Sequence, residues 1–88
     1  MIIELHPQFE KAYKKRIIQN DKLVKKTAER LALFQTNRNN PLLKDHALTG
    51  EKSKLRAFWV TGDVRIVYQP LSEIHVLLLD IGRHNQVY

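Results

Sequence analysis

The sequence predicts an α+β fold in which two helices pack on one face of a small, mainly antiparallel sheet. Apolar residues recur at helical spacing between Pro7 and Gln35, whereas from His46 onward they alternate with a period of two. The 88 residues suit one domain with a modest core. We therefore expect a single domain over residues 1–88 with the element order β-α-α-β-β-β.

The N-terminal half predicts one strand and two antiparallel helices. Residues 2–5 are mostly apolar and read as a short strand. The next helix is expected to start at Pro7, because proline is favoured in a first helical turn, where its missing N–H costs nothing. Asn20 and Asp21 interrupt the pattern and can cap a second helix over about residues 22–35. So short a connection places the two helices antiparallel.

The C-terminal half predicts an antiparallel meander. An asparagine-rich loop ends at Pro41, and two alternating strands then flank a turn at residues 61–63. A second turn is expected at residues 70–73. The last strand, residues 74–81, is apolar on both faces, which predicts a central place in the sheet. The first strand is expected to return to the sheet edge.

The charge of the chain predicts a polyanionic partner. Fifteen Lys and Arg residues stand against nine Asp and Glu, which gives a formal net charge of +6. A field of this sign attracts nucleic acid first of all, although an anionic membrane surface or an acidic protein would use the same field. A contribution to solubility alone is the remaining alternative.

The composition also excludes several classes of protein. There is no cysteine, so neither a disulfide framework nor a thiolate metal site is possible, in keeping with a reducing compartment. The four histidines lack the close spacing of a metal site, and we expect no cofactor. Residues 1–5 resemble no signal peptide, and no apolar run is long enough to span a membrane. We therefore expect a cytoplasmic protein.

Arginine and histidine residues converge in the predicted sheet. Arg56 and Arg65 lie in hairpin partners, and we expect them to share one face, with Arg83 and His84 delivered to its rim by the last strand. Such a cluster suits metal-free RNA cleavage, because RNA carries its own 2′-OH nucleophile. Histidine can act as acid or base, and arginine matches phosphate oxygens.

Each of these residues also has a structural interpretation. His84 can be a solvated histidine near the chain end, and Arg65 can form a surface ion pair with a nearby carboxylate. Asp63 can simply form the turn, and Trp59 can belong to the core.

Three motifs, in the same order, are similar to one protein family. They are "ELHPQFEKAYKKRI", "LLKDHALTGEKSKLRAFWVTGDVRIVYQ" and "LLLDIGRHNQVY". Together they span nearly the whole chain, and they resemble the RelE/YafQ superfamily of type II toxin–antitoxin toxins, in particular its YafQ-like branch. The resemblance implies a microbial RNase-like fold and a ribosome-dependent mRNA endonuclease, or mRNA interferase.

The resemblance also implies roles for individual residues and partners. The catalytic residues would be His84 and His46 as acid or base, Arg65 at the scissile phosphate, and Asp63. RNA-binding residues would be Arg56 and Tyr88, and the position of Arg83 at the end of the last strand adds it to them. The implied partners are mRNA in the A site of the 30S ribosomal subunit and an acidic antitoxin, through which the complex would bind operator DNA.

One position departs from the family pattern. YafQ-like members carry a second histidine four residues before the aspartate, where this chain has Trp59, and tryptophan cannot transfer protons. A gyrase-inhibiting toxin of the ParE-like branch, or a ribosome- or RNA-binding homologue with weak catalysis, are therefore the alternatives. The presence of Arg65 and His84 argues against the ParE-like branch.

Overall fold

The structure, a computed structural model, describes residues 1–88 and consists of one sheet with two long helices on the same face. The predicted fold class and element order are confirmed, with a two-residue strand and a short terminal helix in addition. No helix is both long enough and apolar enough to span a membrane. The strands are β1 (Ile2–Leu5), β2 (His46–Ala47), β3 (Arg56–Trp59), β4 (Val64–Ser72) and β5 (His75–Arg83), and the helices are α1 (Pro7–Arg16), α2 (Asp21–Thr36) and α3 (His84–Val87).

Side chains cap both long helices at their N-termini. The His6 imidazole Nδ1 accepts a hydrogen bond of 3.0 Å from the backbone N–H of Gln8, and Pro7 follows as the first helical residue. Asn20 does the same for α2 by accepting from the N–H of Leu23 at 3.1 Å. These bonds satisfy N–H groups that a helix start otherwise leaves unpaired.

The strand order is β1-β5-β4-β3-β2. β1 pairs in parallel with β5 and forms one edge, as expected, while the remaining pairs are antiparallel. β5 is an interior strand, but the middle place belongs to β4. The two-residue β2 forms the opposite edge, and only two residue pairs join it to β3.

The predicted turn at residues 70–73 is wrong, because β4 continues to Ser72 and the chain turns at residues 73–74. Pro70 lies inside the strand, where the pairing with β5 is irregular between Pro70 and Ser72. A proline has no N–H to donate, so such an irregular step is where a strand tolerates it.

Alternation along β4 separates two clusters of apolar residues. Ile66 and Tyr68 face the helices and belong to the main core, where the Phe34 ring stacks on Phe58 with centroids 4.4 Å apart. Val67 faces the other way, and it packs with Ala57 and Val87 in a second, small cluster. The side chain of Arg65 must lie on this second face, because Arg65 and Val67 are two positions apart in the strand and alternate residues share a face.

Replacing Phe34 by alanine should lower the free energy of unfolding by about 3–5 kcal/mol, since it removes a fully buried ring from the centre of the core. Urea denaturation measures the loss. The control is Leu42→Ala, at a side chain that is 62% exposed, which should change stability by less than about 0.5 kcal/mol. Equal losses in the two variants would contradict a core centred on Phe34.

Candidate functional site

The end of the chain is anchored on the sheet face that the long helices leave open. The backbone N–H of His84 donates to the carbonyl of Asp63, in the β3–β4 turn, at 3.1 Å. Three residues later Val87 is buried against Ala57 and Val67. The terminal Tyr88 is therefore held in place rather than frayed.

Three rings from two distant parts of the sequence form a wall on this face, the ring wall of His46, His84 and Tyr88. The Tyr88 ring meets the His84 ring edge-on, with centroids 4.5 Å apart. It meets the His46 ring in the same way at 6.4 Å. Tyr88 thus links the histidine of the edge strand to the histidine that begins α3.

A backbone carbonyl fixes the orientation of His46. Its Nδ1 lies 2.8 Å from the carbonyl oxygen of Lys44. Because a carbonyl can only accept, Nδ1 must carry a hydrogen, and in the neutral ring Nε2 then holds the lone pair. That Nε2 lies 3.4 Å from the Tyr88 hydroxyl, within the ring wall. The neutral imidazole is thus oriented to accept a proton there.

Burial raises the pKa of Tyr88 above its ordinary value, although the nearby Arg65 guanidinium offsets part of this rise. The phenol is therefore protonated at neutral pH and can donate to Nε2 of His46. A separation of 3.4 Å makes this a weak hydrogen bond, which a proton on His46 would break.

Arg65 is a buried cation without a carboxylate partner. The residue is only 7% exposed, and it takes part in none of the ion pairs of the chain. Its Nη1 donates to the carbonyls of Thr61 and Gly62 at 3.1 and 2.9 Å. Carbonyl dipoles fix the guanidinium but leave its charge uncompensated, which favours an anion at this position.

The indole ring of Trp59 packs against the guanidinium of Arg65. The two residues are directly opposite in the β3–β4 pairing, and the guanidinium carbon lies 4.1 Å from the centre of the indole ring. The ammonium of Lys44 lies 5.1 Å from the same ring. Contacts of this kind are attractive because the ring face is electron-rich. The tryptophan that departs from the family pattern is therefore a platform for two cations.

The ring wall separates two recesses, and neither is lined by an acidic residue. The first, which we call the cationic recess, has a volume of about 300 Å³, and the second, which we call the side recess, has about 460 Å³. Lys44, Trp59 and Arg65 complete the cationic recess together with the ring wall. The side recess is bounded by the ring wall, by residues 47–49 and by Lys52. An anion in the cationic recess would lie in a space lined by a fixed guanidinium and two imidazoles.

The structure brings together four of the seven predicted site residues, namely His46, Arg65, His84 and Tyr88. The expectation that Arg56 shares a face with Arg65 is wrong. Arg56 is directly opposite Tyr68, which faces the helices, whereas Arg65 is opposite Trp59. Alternation within each strand was visible in the sequence, but the register between the strands was not.

Arg56 has a partner of its own. Its Nε donates to Asp45 Oδ1 at 2.9 Å. Burial alone lowers the pKa of Arg56, but the hydrogen bond and the charge of Asp45 outweigh it and raise the pKa. The role of Arg56 in RNA binding stays a prediction that this ion pair does not favour.

Asp63 and Arg83 also lie outside the cationic recess. The Asp63 carboxylate is in the exposed turn, with Oδ2 3.7 Å from Nε of Arg83. Arg83 is opposite Val64, a core residue, and therefore lies on the helix side of the sheet. Asp63 reaches the site only through its backbone carbonyl, which holds His84.

The other two histidines have structural partners. His6 caps α1, and the Nε2 of His75 lies 3.1 Å from a carboxylate oxygen of Glu4 in β1. No group of three or more histidine, aspartate or glutamate side chains lies close enough together to hold a metal ion.

Sequence reasoning missed Lys44, Asp45 and Lys52. Lys44 has a left-handed backbone, with φ of 48°, which brings its carbonyl to His46, and Lys52 Nζ donates to the Val87 carbonyl at 3.4 Å. Lysines in a loop look like ordinary solvated charge. The one available signal was the position of Asp45 beside His46.

Comparisons with known proteins identify a family for the chain. Residues 1–88 match the model of a family described as "Bacterial toxin of type II toxin-antitoxin system, YafQ". A search of curated proteins found no match.

Solved structures share the fold over nearly the whole chain. YafQ from E. coli strain BL21(DE3) is 23% identical, with a TM-score of 0.82 over 98% of this chain and 96% of that chain. A metal-bound toxin from Helicobacter pylori is 26% identical, with a TM-score of 0.80 over 100% and 99%. A chain of the E. coli DinJ–YafQ complex is 23% identical, with a TM-score of 0.79 over 98% and 96%.

Anion binding at Arg65 should change the fluorescence of Trp59, which is the single tryptophan of the chain and contacts the guanidinium. Titration with a short DNA oligonucleotide, which lacks the 2′-OH, should therefore give a saturable signal that weakens with added salt. Arg65→Gln should remove most of this response, whereas Lys26→Gln, on the exposed side of α2, should keep it. An unchanged response in Arg65→Gln would place the anion elsewhere.

Proposed function

Because the chain belongs to the YafQ family of bacterial type II toxin–antitoxin toxins, we propose that it is an endoribonuclease that cleaves mRNA on the ribosome. The observation that carries this proposal is the cationic recess. It presents an uncompensated guanidinium, Arg65, beside His46 and His84, and it contains no carboxylate. A site of this kind attracts a phosphodiester and supplies two imidazoles, which can act as general acid or base.

The proposed reaction is attack of the ribose 2′-OH on the adjacent phosphorus. The 2′-oxygen forms a bond to phosphorus while the bond to the 5′-oxygen breaks. The products are a 2′,3′-cyclic phosphate and a free 5′-OH. One proton leaves the 2′-OH and one reaches the 5′-oxygen, so the step needs one base and one acid and no other reactant.

His46 suits the role of base, because its Nδ1 donates to the Lys44 carbonyl, which leaves the lone pair on Nε2, and the residue lines the cationic recess. His84, across the Tyr88 ring, suits the role of acid for the leaving oxygen. The Tyr88 hydroxyl stays protonated and can donate to either reacting oxygen or to His46. Groups positioned in this way typically accelerate a reaction by about 10²–10⁴-fold.

Arg65 would stabilise the additional negative charge that develops on the phosphorus oxygens. Its orientation is fixed before substrate binds, by the Thr61 and Gly62 carbonyls and by Trp59. A donor that needs no reorganisation contributes most in the transition state. In this proposal Trp59, which stands where YafQ-like members have a histidine, positions Arg65 and transfers no proton. His46 and His84 then carry both proton transfers.

The positive charge of the chain supports a ribosomal substrate and an acidic inhibitor. A net charge of +6 favours binding of the chain to the ribosomal RNA that surrounds the mRNA in the A site of the 30S subunit. The E. coli DinJ–YafQ complexes support a cognate antitoxin as a partner. We propose an acidic antitoxin that covers the basic surface and binds operator DNA on behalf of the complex, in the cytoplasm.

Cleavage should fail when the recess loses either of two groups. Expressing the chain without an antitoxin and mapping mRNA 5′ ends on translating ribosomes should show new ends for the wild type. His84→Ala and Arg65→Ala should each reduce these ends by about 10²-fold or more. His75→Gln is the matched control, because His75 pairs with Glu4 on the strand at the opposite edge and should leave cleavage unchanged.

Three results would contradict the proposal in different ways. Full cleavage by the Arg65→Ala, His84→Ala double variant would remove the site from the mechanism. Ribosome binding without new mRNA ends would identify a binding homologue, and inhibition of gyrase-driven supercoiling with intact mRNA would identify a ParE-like activity.

A further inference from the structure

Asp45 is a buried carboxylate that the proposed mechanism does not use. Its side chain is only 6% exposed. Oδ1 accepts from Nε of Arg56 at 2.9 Å, and Oδ2 accepts from the Tyr68 hydroxyl at 2.6 Å. The guanidinium of Arg38 approaches Oδ2 to 3.6 Å. Groups from β3, β4 and the loop after α2 thus converge on one side chain.

These contacts hold Asp45 on the helix side of the sheet. Tyr68 is fully buried in the main core, where its ring meets Phe34 edge-on at 5.0 Å. Burial, followed by the bond to Asp45, raises the pKa of Tyr68 far above its ordinary value, so this hydroxyl remains a donor. Arg56 is opposite Tyr68 in the β3–β4 pairing and approaches the carboxylate from the neighbouring strand.

His46 follows Asp45 and lies on the other side of the sheet. It is opposite Ala57, which belongs to the small cluster with Val67 and Val87. Consecutive residues of an extended chain project to opposite faces, so fixing Asp45 on the helix side also fixes the position of His46 on the open side. The strand that carries His46 has only two residues at a sheet edge, so pairing alone holds it weakly.

The residue before Asp45 completes the geometry. Lys44 has a left-handed backbone with φ of 48° and ψ of 41°, an unfavourable conformation for a residue with a side chain. This conformation directs its carbonyl to Nδ1 of His46. A strained residue persists only where its surroundings determine it, and the fixed carboxylate next to Lys44 is such a surrounding.

We propose that Asp45 is a positioning residue for His46: anchored by Tyr68 and Arg56, it holds the Lys44 carbonyl against Nδ1 and so keeps the Nε2 lone pair in the cationic recess. The catalytic consequence rests on the proposed function of His46 as a base. The consequence for the histidine ring itself does not, and it can be measured on the free protein.

The first test reads the imidazole directly. Long-range ¹H–¹⁵N spectra of the histidine rings should show wild-type His46 with hydrogen on Nδ1 in its neutral form. In Asp45→Asn, which keeps the size of the side chain, the ring should populate the form with hydrogen on Nε2, with broadened resonances. The ring of His84 should not change. A His46 spectrum identical to wild type in Asp45→Asn would overturn the proposal.

The second test reads cleavage on purified ribosomes. Asp45→Asn should lower kcat by on the order of tenfold or more, with little change in KM, because a misplaced base slows the chemical step rather than binding. Unchanged kcat would overturn the catalytic part of the proposal. Absence of cleavage by the wild type would instead contradict the proposed function, and the ring spectra would still decide the positioning role.

Two further variants separate positioning from stability. Asp80→Asn disrupts another partly buried pair, in which Asp80 Oδ1 accepts from Arg16 Nη1 at 3.2 Å. It should lower stability while leaving kcat and the His46 spectrum unchanged, and an effect equal to that of Asp45→Asn would overturn the proposal. Tyr68→Phe keeps the buried ring and removes one bond to Asp45, so it should shift His46 in the same direction. A wild-type His46 spectrum in Tyr68→Phe would also count against the proposal, even if Asp45→Asn fails to fold.

Discussion

The two-residue period of β4 is the constraint on which the site depends. Ile66 and Tyr68 are committed to the core beneath the helices, so Arg65 and Val67 must lie on the opposite face. A shift of one residue in the pairing would place a guanidinium in the core and expose two large apolar side chains. The free energy that fixes the register is hydrophobic, and the position of the proposed phosphate-binding group follows from it.

A second consequence is that the site is assembled without a carboxylate. Buried charges usually have a partner of opposite charge, as the buried Asp45 carboxylate has in Arg56. Arg65 instead has two carbonyls and an indole, which orient it without neutralising it. Burial of Val87 anchors the end of the chain, so that His84 and Tyr88 line the same recess as the Arg65 guanidinium. The fold thus places the uncompensated positive charge of Arg65 in a recess that an anion can enter.

Much of the fold was predictable because its signals are local. Pro7 and Asn20 mark helix starts by their own chemistry, and the turn at residues 61–63 is evident between two alternating strands. Pro70 misled the prediction, since a proline normally signals a turn and its tolerance inside β4 depends on pairing with β5. The left-handed backbone of Lys44 could not be predicted, because only glycine or asparagine indicates that conformation in a sequence.

The site was predictable in part, and for a different reason. The predicted sheet already placed Arg65 and His84 in one cluster, whereas His46 and Tyr88 were singled out by the resemblance to a toxin family. Arg56 was placed on the wrong face, because alternation within each strand does not show which residues of two strands lie opposite each other. Asp45 was missed because its contacts come from residues 7 to 23 positions away along the chain.

The most direct measurement is the chemistry of the ends that the protein leaves on ribosome-bound mRNA. Attack by the 2′-OH, with His46 and His84 moving the protons and Arg65 on the phosphate, predicts a 5′-OH on one fragment and a 2′,3′-cyclic phosphate on the other. Fragments that carry a 5′-phosphate and a 3′-OH would show that water, not the ribose, attacks the phosphorus. That result would contradict the proposed role of the cationic recess in catalysis.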